Sequence, residues 1–142
     1  MLFRSEKTSV YDKENVKEWS KVLQNTEILC GDYSDSLKFV APNSWLFMDP
    51  PYRGGFTKYA TDFNDDKQLE VVDFSHKANQ AGAESWLTNR DLEDSFFENY
   101  IEQKQYGMNI YRFDVTYTAG RRKKTENGFE AKKAKEVLII SK

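Results

Sequence analysis

The sequence predicts an α/β fold with a mostly parallel sheet and a C-terminal antiparallel β-hairpin. Before about residue 100, short apolar segments alternate with segments whose apolar residues recur at helical spacing, a pattern typical of β-α-β units. Further along the chain, residues 110–118 are rich in alternating β-branched and aromatic side chains, and residues 137–140 are entirely apolar. The segment between these two strands is therefore the predicted tip of a hairpin.

Each element follows from a local pattern. Asn15 is a suitable N-cap for the first helix, and Asp65 or Asp66 is suitable for the second long helix. Gly82 is a suitable stop for that second helix. In chain order we predict a helix at 15–23, a strand at 27–30, a short helix ending near 41–42, a strand at 45–48, a helix at 67–80, a strand at 85–87, a helix at 92–101 and strands at 110–118 and 137–140.

Length and composition favour one domain inside the cell. The 142 residues suit a single domain, 1–142, and 39% hydrophobic residues are enough for a core. Cys30 is the only cysteine, which excludes a disulfide framework and fits a reducing cytoplasm. Because no segment has the apolar length of a signal peptide or a membrane span, we expect a cytoplasmic protein without a membrane partner.

Charge is distributed unevenly along the chain. Residues 120–142 hold eight lysine and arginine residues against three glutamates, a net charge of +5. The preceding 119 residues therefore carry −7 of the total of −2. A basic segment on an acidic body fits either a surface that faces a polyanion or a solvated hairpin tip, and charge alone does not choose between them.

Polar residues follow three of the predicted strands directly. They occupy residues 31–36, 49–52 and 88–91. In open α/β sheets, functional groups gather just beyond the carboxyl ends of the strands. These three stretches are therefore the candidate site.

The middle stretch, Asp49-Pro50-Pro51-Tyr52 (DPPY), suits the chemistry of an exocyclic amine on a nucleobase. Such an amine becomes a better nucleophile when acceptors bind its hydrogens, and Asp49 can supply a carboxylate while Pro50 supplies a carbonyl. The prolines stiffen these acceptors, because each fixes φ near −65° and removes an N–H group. Tyr52 offers a face on which a flipped base can stack. The alternative is a proline-rich turn with a packed tyrosine.

Five stretches in chain order make the sequence resemble the DNA adenine-N6 methyltransferase (Dam) family, which uses S-adenosylmethionine. DPPY after a buried strand is the catalytic motif of that family. The resemblance covers residues 26–142 and implies a partial Rossmann-like methyltransferase sheet. The other matching stretches are Cys30-Gly31-Asp32-Tyr33-Ser34-Asp35-Ser36, then Phe56-Thr57-Lys58-Tyr59 with Phe63 and Gln68, then Leu87-Thr88-Asn89-Arg90-Asp91, and Thr118-Ala119-Gly120-Arg121-Arg122 with Asn127-Gly128 and Lys135-Glu136-Val137-Leu138.

The resemblance implies methyl transfer to the N6 amine of adenine in DNA, by direct attack and without a metal. Asp49 and Pro50 would accept from the amine, and Tyr52 would stack on the flipped base. Asp32 and Tyr33 would lie at the adenine of the cofactor, with Asp49 near its methionine part. The implied DNA-side residues are Phe56, Thr57 and Tyr59 at the target pocket, Asn89 behind the motif, and Arg121, Arg122, Lys123 and Lys124 at the phosphates.

The chain also departs from the family. The family that the sequence resembles has a glycine-containing stretch of the type F-x-G-x-G in the first strand–turn–helix, which cradles the methionine part of the cofactor. No glycine precedes Gly31 here, and residues 1–25 resemble only the end of a region that reads DNA sequence. We therefore expect the catalytic half of an enzyme, completed by a second chain or by a homo-oligomer.

Other functions stay open. The chain could be a remnant or a non-catalytic module that binds DNA through its basic hairpin alone. It could also methylate an amine of RNA or protein, where related motifs occur.

Overall fold

The computed structural model describes residues 12–55, 63–117, 123–125 and 128–142, with the backbone alone at 123–125, 128–130 and 132. The chain divides into two compact units, one ending at Asp32 and the other beginning at Tyr33. Whether these units form the single domain expected from the sequence stays a prediction. None of the helices in these described ranges is long and apolar enough to cross a membrane.

The N-terminal unit contains helix α1, Lys13–Leu23. The Asp12 carboxylate caps it by accepting from the backbone N–H groups of Glu14 and Asn15, so the predicted cap at Asn15 was wrong. The predicted strand at 27–30 was also wrong. This segment pairs with no strand among the described residues, and Ile28, Leu29 and Cys30 are exposed, so it lacks the partner that an isolated strand needs.

The described residues of the C-terminal unit contain the strands β1 Trp45–Met48, β2 Glu84–Arg90, β3 Asn109–Tyr117, β4 Lys123–Thr125, β5 Gly128–Glu130 and β6 Lys132–Ser141. Four of these strands form a mixed sheet in the order β1-β2-β6-β3. The β1–β2 pair is parallel, whereas β2–β6 and β6–β3 are antiparallel, so the prediction of a mostly parallel sheet was wrong. Strand β6 runs opposite to β1, β2 and β3 and lies between β2 and β3, so two of the three strand pairings in this sheet are antiparallel.

Two α-helices and a 3-10 helix complete this unit. The 3-10 helix is Tyr33–Phe39, α2 is Asp65–Gln80 and α3 is Phe96–Lys104. Helix α2 begins beside Asn64, whose side chain accepts from the backbone N–H of Lys67. Helix α3 begins later than the predicted residue 92, because Glu93 and Ser95 adopt positive φ values that interrupt a helix.

Helices α2 and α3 pack against one face of the sheet. Alternate residues of a strand point to opposite faces, and those that face the helices form the core. On the opposite face Trp45, Phe47, Tyr111 and Phe113 are each about half exposed. The buried core cluster consists of Val71, Val72, Leu87, Phe97, Ile101, Val137 and Ile139.

The predicted C-terminal hairpin is confirmed. Strands β3 and β6 pair antiparallel along nine registered positions from Asn109↔Ile140 to Tyr117↔Lys132. The basic segment between them contains a second short ladder, β4 with β5. The hairpin therefore extends the sheet into the basic region.

Candidate active site

The carboxyl ends of β1 and β2 lie side by side because these two strands are parallel, with Met48 opposite Leu87. The Thr88 hydroxyl consequently lies 2.9 Å from Oδ1 of Asp49 and 3.3 Å from the carbonyl oxygen of Met48. Two of the three predicted polar strand ends, 49–52 and 88–91, therefore meet. The contact with Thr88 orients the Asp49 carboxylate, which is exposed at the carboxyl end of β1.

After the prolines, the chain turns sharply. The backbone N–H of Gly55 donates to the carbonyl oxygen of Tyr52 at 3.1 Å, and Gly54 adopts a φ of 63° in this turn. Such a φ favours glycine, because a side chain would be strained there. The guanidinium of Arg90 donates to the carbonyl oxygen of Gly54 at 3.3 Å. Gly54, the first of the two glycines after the motif, thus serves the turn itself.

Two buried amide side chains hold the backbone of the motif. The Gln68 Nε2 group donates to the carbonyl oxygen of Pro51 at 2.7 Å, and Gln68 Oε1 accepts from Asn89 Nδ2 at 2.7 Å. The Asn89 Oδ1 atom accepts from the backbone N–H groups of Arg53 at 3.0 Å and of Arg90 at 2.9 Å. Asn89 therefore lies directly behind the motif.

Arg53 joins three segments around the site. Its side chain is 8% exposed, and its guanidinium donates to both oxygens of Asp65 in α2 at 2.9 Å and to those of Asp94, before α3, at 3.1 and 2.9 Å. The guanidinium also stacks on Phe96, 3.6 Å from the ring centre. The guanidinium holds the pKa of the Asp65 carboxyl below its usual value. The one buried cation of Arg53 is thus paired with two carboxylates.

Tyr52 lies between these fixed points and is partly buried. Burial raises the pKa of its phenol, a hydrogen bond with Thr88 opposes that rise, and the charge of Asp49 adds to it. The phenol is therefore neutral at physiological pH. A neutral ring beside the carboxylate is suited to stacking on a base.

An apolar cavity of about 440 Å³ opens beside Asp49 in the C-terminal unit. Tyr33 lines it and meets Phe74 edge to face, with ring centres 5.3 Å apart. Its volume falls in the range of small-molecule sites. The aromatic and apolar lining suits a flat ring, and the Asp49 carboxylate among the lining groups suits a positive charge on the same ligand. The other lining residues are Ser36, Leu46, Phe47, Met48, Pro50, Pro51, Phe63 and Val71.

The remaining predicted site residues are distributed as follows. Asp32 belongs to the N-terminal unit, where it is exposed. Lys123 and Lys124 lie in β4 of the hairpin. Among the residues that the structure describes, no group of three or more histidine, cysteine, aspartate or glutamate side chains could hold a metal ion. Phe56, Thr57, Tyr59, Arg121 and Arg122 lie outside the described residues.

Sequence reasoning missed Arg53, Asp65 and Asp94 as a unit and gave Gln68 no role. One signal for Gln68 was available. It stands three and four residues before Val71 and Val72, so helical spacing puts it on the buried face of α2. A polar side chain at a core position indicates a specific partner, because an unpaired buried amide is costly. Asp94 carried no comparable signal, since its partner lies 41 residues away.

A family model for D12 class N6 adenine-specific DNA methyltransferases matches residues 2–126. The chain therefore belongs to the D12 class N6 adenine-specific DNA methyltransferase family. Membership implies a methyl donor as cofactor, and it confirms the family predicted from DPPY and its ordered neighbours.

Two curated relatives illustrate the family. A Type II methyltransferase, M.MjaIII of Methanocaldococcus jannaschii, is 36% identical over 103 residues, which are 68% of this chain and 36% of the relative. The retron Ec67 DNA adenine methylase of Escherichia coli is 22% identical over 142 residues, which are 95% of this chain and 44% of the relative. The chain thus spans less than half the length of each of these two relatives.

Among solved structures, precorrin 8W decarboxylase of Methanobacterium thermoautotrophicum gives a TM-score of 0.46 at 14% identity. That alignment covers 92% of this chain and 66% of the other.

Proposed function

We propose that this chain is the DPPY-bearing catalytic part of an enzyme that transfers a methyl group from S-adenosylmethionine to the N6 amine of adenine in DNA. The observation that carries the proposal is the placement of Asp49, which stands at the exposed end of β1 with its carboxylate oriented by Thr88 at 2.9 Å. Family membership supplies the reaction class.

The chain's own residues hold the amine. The Asp49 carboxylate and the Pro50 carbonyl accept from the two hydrogens of the N6 amine, which frees the nitrogen lone pair. The lone pair would form the new N–C bond as the bond from the methyl carbon to the donor sulfur breaks, the sulfur would leave as a neutral thioether, and the released N6 proton would pass to solvent. Tyr52 stacks on the flipped base, a contact that contributes about 1–3 kcal/mol.

The apolar cavity beside Asp49 is the proposed cofactor site, with Tyr33 against the adenine ring. When bound, S-adenosylmethionine supplies a methyl group made electrophilic by its sulfonium. The role of Asp32 at the cofactor stays a prediction from the sequence. Because the first 30 residues contain no glycine, we propose that the close backbone approach to the methionine part is supplied from outside these 142 residues.

The DNA-side residues retain their proposed roles. Phe56, Thr57 and Tyr59 line the target pocket, and Asn89 supports the motif from behind. The basic hairpin contacts phosphates, so DNA binding weakens as salt rises. Its contributing residues are Arg121, Arg122, Lys123 and Lys124.

The test is transfer of a labelled methyl group from S-adenosylmethionine to unmethylated DNA. We expect transfer by the assembly that completes the cofactor site around this chain and at least a hundredfold loss in Asp49→Ala, because the amine loses its charged acceptor. Glu102→Ala, which removes an exposed carboxylate of α3, is the matched control and should retain activity. Equal activity of Asp49→Ala and the wild type would contradict the proposal.

RNA and protein serve as parallel substrates in the same assay. We expect label in DNA at the N6 position of adenine. If the label is found in RNA or protein instead, that molecule and not DNA is the substrate. Salt-dependent DNA binding without any transfer would indicate the non-catalytic module.

A further inference from the structure

We propose that the buried amide pair Gln68–Asn89 positions Tyr52 by holding both peptide groups that flank it. The inference rests on the proposed function, in which Tyr52 stacks on the target base. It assigns a role to Gln68, a residue of α2 whose side chain points at the catalytic loop.

The contacts surround Tyr52 on both sides along the chain. Gln68 Nε2 donates to the carbonyl oxygen of Pro51, which belongs to the peptide group preceding Tyr52, at 2.7 Å. Asn89 Oδ1 accepts from the N–H of Arg53, which belongs to the peptide group following Tyr52, at 3.0 Å. A third hydrogen bond, from Asn89 Nδ2 to Gln68 Oε1 at 2.7 Å, links these two side chains. The orientation of both planes on either side of the Tyr52 Cα atom is thereby fixed.

The hydrogen bonds of the Gln68–Asn89 pair are compatible with only one orientation of each side-chain amide. The Gln68 amide must present its NH₂ group to a carbonyl oxygen and its oxygen to the NH₂ group of Asn89. Turning either amide over would set oxygen against oxygen at Pro51, or N–H against N–H at Arg53. Gln68 and Asn89 are 1% and 0% exposed, so water cannot replace a lost partner. The pair therefore behaves as a rigid unit.

Packing alone does not explain an amide at position 68. The neighbouring buried positions of α2, Val71 and Val72, are aliphatic and fill the core. Ser75, also buried on α2, bonds to Ser85 of β2 and does not reach the loop. Among the described residues of α2, Gln68 is the one whose buried polar side chain donates a hydrogen bond to the motif backbone. This difference makes Ser75 the matched control.

The chain beyond Tyr52 is anchored as well. The side chain of Arg53 is bound to Asp65 and Asp94. These ion pairs fix the position of the chain directly after the Tyr52–Arg53 peptide group. On the other side, Pro50 and Pro51 restrict φ. The ring direction of Tyr52 is thus set by a segment held at every peptide group from Pro51 to Arg53. Loss of the Gln68 bond releases the one constraint that acts from α2 on the preceding carbonyl.

The decisive experiment is a double-mutant cycle between Gln68 and Tyr52. We expect Gln68→Met, which keeps length and removes both hydrogen bonds, to lower kcat at least tenfold when Tyr52 is present. In a Tyr52→Ala background the same change should cost less than twofold, because no ring remains to be positioned. Ser75→Ala should cost the same factor in both backgrounds. An equal cost of Gln68→Met in both backgrounds would overturn the inference.

A second measurement does not depend on activity. Because Gln68 orients Asn89, we expect Gln68→Met to speed hydrogen exchange at the Arg53 amide at least tenfold, with little change for the Ser75→Ala variant at that amide. Unchanged exchange at Arg53 in Gln68→Met would overturn the inference on its own. Absence of methyl transfer by the wild type would instead count against the proposed function, and the exchange result would still decide whether Gln68 holds the loop.

Discussion

The Thr88 hydroxyl lies 2.9 Å from Asp49 Oδ1, and this contact joins two strand ends that are 39 residues apart in the chain. A carboxylate at the end of a strand can rotate about its side-chain torsions. A donor at one oxygen restricts that rotation and leaves the carboxylate aimed in one direction. At the residue scale, the direction of the Asp49 carboxylate therefore depends on a neighbour that carries no charge.

Replacing Thr88 with valine tests this dependence. The change keeps the β-branched shape of the strand residue and removes the hydroxyl. We expect kcat to fall about tenfold, since a hydrogen bond to a charged group contributes about 1.5 kcal/mol or more. Thr88→Ser keeps a hydroxyl and should retain most of the activity. Equal kcat values for the valine variant and the wild type would exclude an orienting role for Thr88.

At the scale of elements, Arg53 joins the loop after β1 to the start of α2 and to the segment before α3. The guanidinium is buried, while Asp65 and Asp94 remain 60% and 45% exposed. A buried cation with two partners keeps its hydrogen bonds satisfied, and loss of one partner leaves part of the guanidinium without an acceptor. The three elements therefore hold each other at the site through one side chain.

The pKa of Asp65, lowered by its hydrogen bonds to Arg53, predicts an acid-dependent loss of stability. A carboxyl with a lower pKa in the folded state contributes stability fully above its unfolded pKa, near 4, and loses it as the pH falls through the folded pKa. We expect Asp65→Asn to lower the free energy of unfolding by about 1 kcal/mol at pH 7, a magnitude suited to a partly exposed pair. The difference from the wild type should shrink as the pH falls below about 4.

Urea unfolding at a series of pH values measures this difference. Asp66→Asn, at the adjacent exposed carboxylate of α2, is the matched control and should leave the pH dependence close to that of the wild type. A gap between Asp65→Asn and the wild type that stays constant from pH 7 to pH 3 would refute the assigned cause.

At the scale of the whole molecule, charge and apolar surface are both unevenly placed. The basic residues concentrate in the hairpin region, whereas the rest of the chain is acidic. The sheet face opposite the helices exposes four aromatic side chains, and Trp45 packs edge to face on Trp86 at 5.6 Å. Exposed aromatic surface of this kind favours association. The expected second chain or homo-oligomer stays a prediction.

Salt dependence of DNA binding tests the hairpin. Replacing Arg121, Arg122, Lys123 and Lys124 by alanine should reduce the slope of log K against log salt by about 3–4, since each phosphate contact contributes about 0.9. The matched control removes four exposed lysines outside the hairpin, namely Lys13, Lys38, Lys77 and Lys104. If both sets of substitutions reduce the slope equally, the charge contacts are spread over the body and the hairpin has no special role.

Much of the fold and of the site was predictable from local patterns. The strand Trp45–Met48 is a run of apolar residues that stops at an acid and two prolines, and both its bounds were confirmed. Helix α2 and the C-terminal hairpin were confirmed from their periodicity, with shifts of a few residues at their ends. These features are local, because a strand end, a cap and an alternating pattern are each encoded within a few neighbouring residues.

The sequence by itself determined the family, the DPPY motif and the meeting of the 49–52 and 88–91 strand ends. Only the tertiary structure decided that residues 27–30 form no strand, that two of the three pairings in the main sheet are antiparallel, and that Gln68, Asn89 and Arg53 hold the loop after β1. The physical reason is that strand pairing and buried polar contacts depend on partners distant in the chain. An amide side chain at a core position indicates that it has a hydrogen-bond partner, but only the fold determines which backbone group is that partner.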